Sequence, residues 1–141
     1  MPGLATYSRR NVSLNINFIP VVFEEVTFTR DTDDWSDASD ADGLVVRNRL
    51  SDTRGTIAVT VSDQQQDTNS RLELLRTLDA TSLTGFFSVQ MRDNLGQDFA
   101  FTGFSWISKP PDMTKGAEAG TKEWTIRAAN LELKNLGLSR V

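Results

Sequence analysis

The chain has 141 residues, an apolar share of 38% and a formal net charge of −4, which fits one domain that can fold without a disulfide or a metal. It contains neither cysteine nor histidine, so thiolate nucleophiles, thiolate metal sites and the serine–histidine and cysteine–histidine catalytic pairs are excluded. The acidic balance argues against a partner held by phosphate neutralisation.

The first residues, Met1 to Arg10, are polar and carry Arg9 and Arg10, which predicts no cleaved leader. Alternation then dominates. Val12, Leu14, Ile16 and Phe18 alternate with Ser13, Asn15 and Asn17, the period of a strand with one wet face. The apolar stretch Phe18 to Phe23 is far too short to span a bilayer. Val26 and Phe28 alternate with threonines, and Asp31 to Gly43 follows as a long acidic loop with Trp35 in its middle. Ile57, Val59 and Val61 alternate with Thr56, Ala58, Thr60 and Ser62. From Asp67 to Ala80 the period changes: Leu72, Leu74, Leu75 and Leu78 form a helical stripe, and Ser70-Arg71-Leu72-Glu73 fits a capping box. The stripe predicts that Leu72, Leu75 and Leu78 are buried and that Arg71, Glu73 and Arg76 are exposed. Gly85 ends the helical region. Phe87, Val89 and Met91 resume the strand pattern, and Phe99 and Phe101 continue it after the turn Asp93-Asn94-Leu95-Gly96. Lys109 to Lys122, with Pro110, Pro111, Gly116 and Gly120, reads as a second long loop. Trp124, Ile126 and Ala128, then Leu131 and Leu133, complete six or seven mostly antiparallel strands. The expected fold is one mainly β domain, an antiparallel sandwich or barrel with one flanking α-helix.

The chemistry open to such a chain is narrow. An EF-hand register fails from Asp31, where Trp35 and Ser36 occupy a ligand position and the required glycine, and from Asp37, where Ala41 and a displaced Gly43 break the pattern. Glu24 and Glu25 point to opposite faces of a strand, and Glu118 and Glu123 lie in or beside a loop, so no carboxylate pair is set to flank a glycosidic bond. Gly43, Gly55, Gly85, Gly96 and Gly103 are isolated and build no phosphate cradle. Trp106 and Trp124 lie in alternating runs and read as core. Trp35 has two readings: the loop folds back to bury it, or it anchors the loop in another subunit. No catalytic, cofactor or metal residue is assigned.

Several segments add a resemblance. Asp42-Gly43-Leu44-Val45-Val46-Arg47 comes first, then Asp52-Thr53-Arg54-Gly55-Thr56-Ile57-Ala58-Val59-Thr60-Val61. Gln65, Gln66, Asn69 and the leucines ending in Asp79 follow. Trp106-Ile107-Ser108-Lys109-Pro110-Pro111-Asp112 and Glu123-Trp124-Thr125-Ile126 complete the set. In order and spacing, from near Leu14 to near Leu133, the chain resembles the tail tube proteins of contractile-tailed phages, whose fold is related to the tube of type VI secretion systems. The resemblance implies hexameric rings stacked into a tube that conducts DNA without binding it specifically. It also implies tail sheath and baseplate proteins as partners, a place in the virion tail, and assembly in the host cytoplasm with no membrane. On that reading Trp35, Asp33, Asp34 and Asp37 of one loop and Lys109, Lys115 and Lys122 of the other are expected at contacts between subunits or rings. The small polar face Thr56, Ala58, Thr60 and Ser62, with Asp63 at its end, is expected either at the lumen or against a neighbouring subunit. Another tail or baseplate component with the same fold is an alternative. A small carbohydrate- or calcium-binding β-sandwich is a second, of a different class.

Overall fold

The computed structural model describes residues 12–39, 41–82, 86–93, 97–118 and 120–136. Over these residues the chain is mainly β and antiparallel, with ten strands and one helix. The strands before the helix are β1 (Val12–Ile16), β2 (Ile19–Pro20), β3 (Glu25–Arg30), β4 (Trp35–Ser39), β5 (Val45–Arg49) and β6 (Gly55–Ser62). The helix α1 (Gln66–Ser82) precedes β7 (Phe87–Asp93), β8 (Phe99–Lys109), β9 (Thr121–Ala128) and β10 (Glu132–Lys134).

Eight strands form one sheet in the order β2-β1-β7-β8-β9-β6-β3, with β10 beside β8. β8 has 11 residues, long enough to take two neighbours along one edge. Phe101 pairs with Glu132 of β10, and farther on Ser105 pairs with Ala128 of β9. The alternation read in the sequence sorts the faces. Ile57, Val59 and Val61 are each 0% exposed, and Ile126 and Trp124 lie opposite Ile57 and Val59 on β9. Leu14, Ile16, Phe87, Val89 and Ile107 join them in one core. Distant strands of the sheet approach each other: Val26 of β3 shares a cavity with Val12 of β1 and Met91 of β7. One curled sheet thus encloses the core, in place of two separate stacked sheets. Leu131 covers the start of β6 so closely that a Cβ on Gly55 would collide with its Cδ2 and lie 2.8 Å from the Thr29 carbonyl oxygen. Glycine is required there for space.

Several expectations need correction. The strands number ten, because β2, β4 and β5 carry no alternating apolar run of their own. The Asp31 to Gly43 stretch is not a loop throughout: β4 pairs with β5 in a separate two-stranded sheet. Lys109 ends β8 and Lys122 lies in β9, which shortens the second loop to 110–120. The helix begins at Gln66, so Ser70 is inside it and caps nothing, and Glu73 pairs with Arg76 at 2.5 Å. Trp106 is only half-buried, on the face opposite Ile107, with its ring edge-to-face to Phe86 at 6.2 Å. Gly85 and most of the turn after Asp93 lie outside the described residues.

Burial also fades along the helix. Leu72 is 1% exposed, Leu75 is half-buried against the core, and Leu78 is 42% exposed. A helix of 17 residues is about 25 Å long, and its last turns run past the apolar face it covers. Leu72→Ala should therefore cost about 2–5 kcal/mol, through lost transfer energy and a cavity. Leu78→Ala should stay within about 0.5 kcal/mol. Chemical denaturation of the two variants checks the contrast, and equal losses would mean that the whole stripe is core.

Candidate assembly surfaces

The outer face of β3, β6 and β9 is a sheet of small polar side chains. Register places Thr29, Thr56 and Arg127 in one row, and Thr27, Ala58 and Thr125 in the next. Glu25, Thr60 and Glu123 form a third row, and Ser62 and Thr121 close the series. The residues proposed from sequence, Thr56, Ala58, Thr60 and Ser62, thus form the middle strip of a wider face, and two carboxylates flank Thr60. Arg127 is the cation of these three strands on this side, and it is engaged. Its guanidinium donates to Asp31 Oδ2 at 2.5 Å, Asp31 Oδ1 at 3.1 Å and Thr56 Oγ1 at 2.5 Å. With Arg127 matched by Asp31, Glu25 and Glu123 set the sign of the face. Lys109, opposite Thr125, stands at its border on β8. Asp63 does not extend the face: it meets Lys122 at 3.4 Å, and Lys122 lies opposite the core residue Val61.

The second surface is the hairpin of β4 and β5, in which every described residue is exposed. Register sets arginines across from β4: Asp37 lies opposite Arg47 and Trp35 opposite Arg49. The Arg47 guanidinium stands 3.9 Å from the Trp35 ring centre, and Arg49 is 5.9 Å away. Trp35 is therefore neither folded back into the core nor bare: it lies on the hairpin's own face as a cation–π partner, still 41% exposed. Leu44, Val45 and Val46 are exposed beside it. Asp33, Asp34 and Asp37 belong to the same element, with Asp34 near Arg30 at 3.5 Å.

The hairpin's two legs are tied at the root. Leu50 N–H donates to the Asp34 carbonyl at 2.9 Å, and Asp31 N–H to the Arg54 carbonyl at 3.0 Å. Arg30 and Thr32 both donate to the Asp52 carbonyl, at 3.1 and 3.0 Å. Hydrogen bonds from the Arg54 side chain and backbone hold Asp52 down to about 2, and the hydrogen bond from Arg127 lowers Asp31 below the usual carboxylate range. Depressed carboxyls stabilise above their ordinary pKa, so the root is fully charged at neutral pH. The Asp52 contribution is lost as pH falls through about 2.

The third surface is a groove of about 790 Å³ between α1 and the loop after β8, lined by Leu74, Pro110, Pro111, Met113 and Trp124 among others. Leu74 and Met113 are exposed in it. Lys122 lines it too, while Lys109 and Lys115 are exposed on the flanking chain. The residues named from the sequence thus lie on three surfaces of one subunit. Glu25, Glu123, Asp31 and Arg127 were missed as site residues. Their signal lies in strand register, which spacing along the chain does not carry. Among the described residues no acidic cluster is arranged to hold a metal ion, and no helix is long and apolar enough to cross a membrane.

No family model and no curated protein matches the sequence. Solved structures do match the fold. A chain of the anti-feeding prophage cap, described as a tube-terminating cap, superposes with a TM-score of 0.65 at 10% identity over 94% of this chain and 93% of that one. A chain of the extended sheath–tube complex of a PVC extracellular contractile injection system gives 0.61 at 10% identity, over 92% of each chain. A chain of the native gene transfer agent virion gives 0.58 at 11% identity, over 92% of this chain and 99% of that one. Identity this low speaks for architecture and not for activity. The chain therefore has the fold seen in components of contractile injection systems and virion particles: mainly β, antiparallel, with one helix beside the curled sheet.

Proposed function

We propose that this protein is a structural, non-catalytic subunit of the inner tail tube of a contractile phage tail. It closes into hexameric rings that stack within a sheath above a baseplate and conduct DNA. The observation that carries this reading is the pairing, on the tube-like fold, of a broad small-polar sheet face with a hairpin that leaves the body of the domain. Closure into a ring also covers the edge strand β3, which a lone subunit leaves open to aggregation. The hairpin supplies contacts between rings through Trp35, Asp33, Asp34 and Asp37, and Lys109, Lys115 and Lys122 receive them from the far side. Negative-stain microscopy of the purified full chain tests the assignment. Tubes or stacked rings support it, and rings that never stack favour a cap or terminator with the same fold. Monomers with a calcium-dependent melting shift overturn it.

The polar face is the lumen wall in this reading. DNA carries a charge about every 1.7 Å of its axis, so a basic wall would retain it by counterion release. Thr60 between Glu25 and Glu123 does the opposite, repelling phosphates that pass within a Debye length of about 8 Å. Because Thr56 is committed to Arg127, the sign is best reversed at the carboxylates. Glu25→Lys with Glu123→Lys should leave tubes intact while slowing DNA ejection, with the defect relieved by added salt. If that variant forms no tubes, the face belongs to a subunit interface.

A further inference from the structure

We propose that Arg127 is a positioning residue that sets the direction of the β4–β5 hairpin through its pair with Asp31. The tube-related consequence of this role rests on the function proposed above, while the mechanical part does not.

The hairpin's described residues are all exposed, so its direction is decided at the root. Most root bonds join one leg to the other: Leu50 to Asp34, Thr32 to Asp52 and Asp31 to Arg54. Such bonds keep the legs together but let them swing as one unit. Two contacts tie the root to chain beyond the legs: Leu131 N–H donates to the Thr53 carbonyl of the second leg at 2.8 Å, and the Arg127–Asp31 pair holds the first leg through side chains. Arg127 belongs to β9, is flanked in its row by Trp106 of β8 and Thr56 of β6, and reaches across β6 to the residue that follows β3. It grips both carboxylate oxygens of Asp31, at 2.5 and 3.1 Å. A bidentate fork fixes orientation as well as distance. The contact spans 96 positions of sequence and joins the third strand in from the β3 edge to the first residue of the leg. It is a strut between the rigid sheet and the projecting hairpin. A hairpin that must meet a fixed seat on a neighbouring ring needs such a strut, because a swinging arm loses entropy on docking.

The test uses the absence of cysteine in the chain. Spin labels placed by Ser13→Cys on β1 and Ala38→Cys on the hairpin report the distance between sheet and hairpin in the full-length monomer. The unaltered pair should give one narrow distribution. Arg127→Gln and Asp31→Ala should each broaden it about twofold, the response of an element held by few contacts. Arg127→Lys, which keeps the charge and loses the fork, should restore it only in part. Should Arg127→Gln fail to fold, Asp31→Ala, which lies outside the strands, decides the matter. An unchanged width in folded Asp31→Ala overturns the proposal. Tube length measured on the same variants separates the two claims. A broadened hairpin with normal tubes overturns the assembly role, and an unaltered chain that forms no tubes defeats the tube reading without touching the strut.

Discussion

Replacing residues 35–49 by a two-residue Asn-Gly turn is expected to abolish tube formation while leaving a folded, soluble subunit. The legs are already within hydrogen-bonding distance at that point, Leu50 N–H to Asp34 carbonyl at 2.9 Å, so a tight turn closes them with little strain. Nothing in the core is lost, because the removed strands are exposed throughout. An isolated two-stranded hairpin is marginally stable in water. Its persistence here, with Leu44, Val45 and Val46 exposed, is understandable if assembly covers it. The melting temperature should stay within about 3 °C of the parent, less than about 1 kcal/mol for a domain of this size. Long tubes should be absent by negative-stain microscopy. Normal tubes from the shortened chain would remove the hairpin from the contact between rings.

Trp124→Ala should produce the largest loss of stability of any single substitution considered, about 3–5 kcal/mol. The side chain is 2% exposed, opposite Val59 in the middle of the sheet. Its Nε1–H donates to Asn69 Oδ1 at 3.0 Å, while Asn69 Nδ2 donates to the Ser62 carbonyl at 3.1 Å. One residue therefore fills the core and fastens the first turns of α1 to the end of β6. Against a total of about 5–15 kcal/mol for a typical domain, its removal leaves little margin at physiological temperature. Trp124→Phe retains most of the apolar surface and strands only the Asn69 oxygen, so it should cost about 1–3 kcal/mol. Urea denaturation of both variants distinguishes volume from hydrogen bonding. A loss below about 1 kcal/mol for Trp124→Ala would contradict the packing described above.

What the sequence determined by itself is what local periodicity can carry. Alternation at Leu14–Ile16, Ile57–Val61 and Trp124–Ala128 marked strands and their buried faces, because side chains on a strand change sides at every residue whatever its neighbours are. The absence of cysteine and histidine closed most catalytic chemistry in the same local way. The tertiary structure decided everything that depends on which segments meet. Read alone, the aspartates from Asp31 to Asp42 looked like a solvated loop. Part of the stretch became strand because it meets the next segment, whose Arg47 and Arg49 lie opposite Asp37 and Trp35. Leu78 belongs to the same stripe as Leu72 but is 42% exposed, since helical phase says which way a residue points and not how far the core extends beneath it. Thr60 was legible as one residue of a polar face. The carboxylates beside it were not, for Glu25 and Glu123 are nearly a hundred residues apart and meet only through the order β3-β6-β9. Strand order and register are set by the free energy of closing one shared core. No window along the chain contains that quantity.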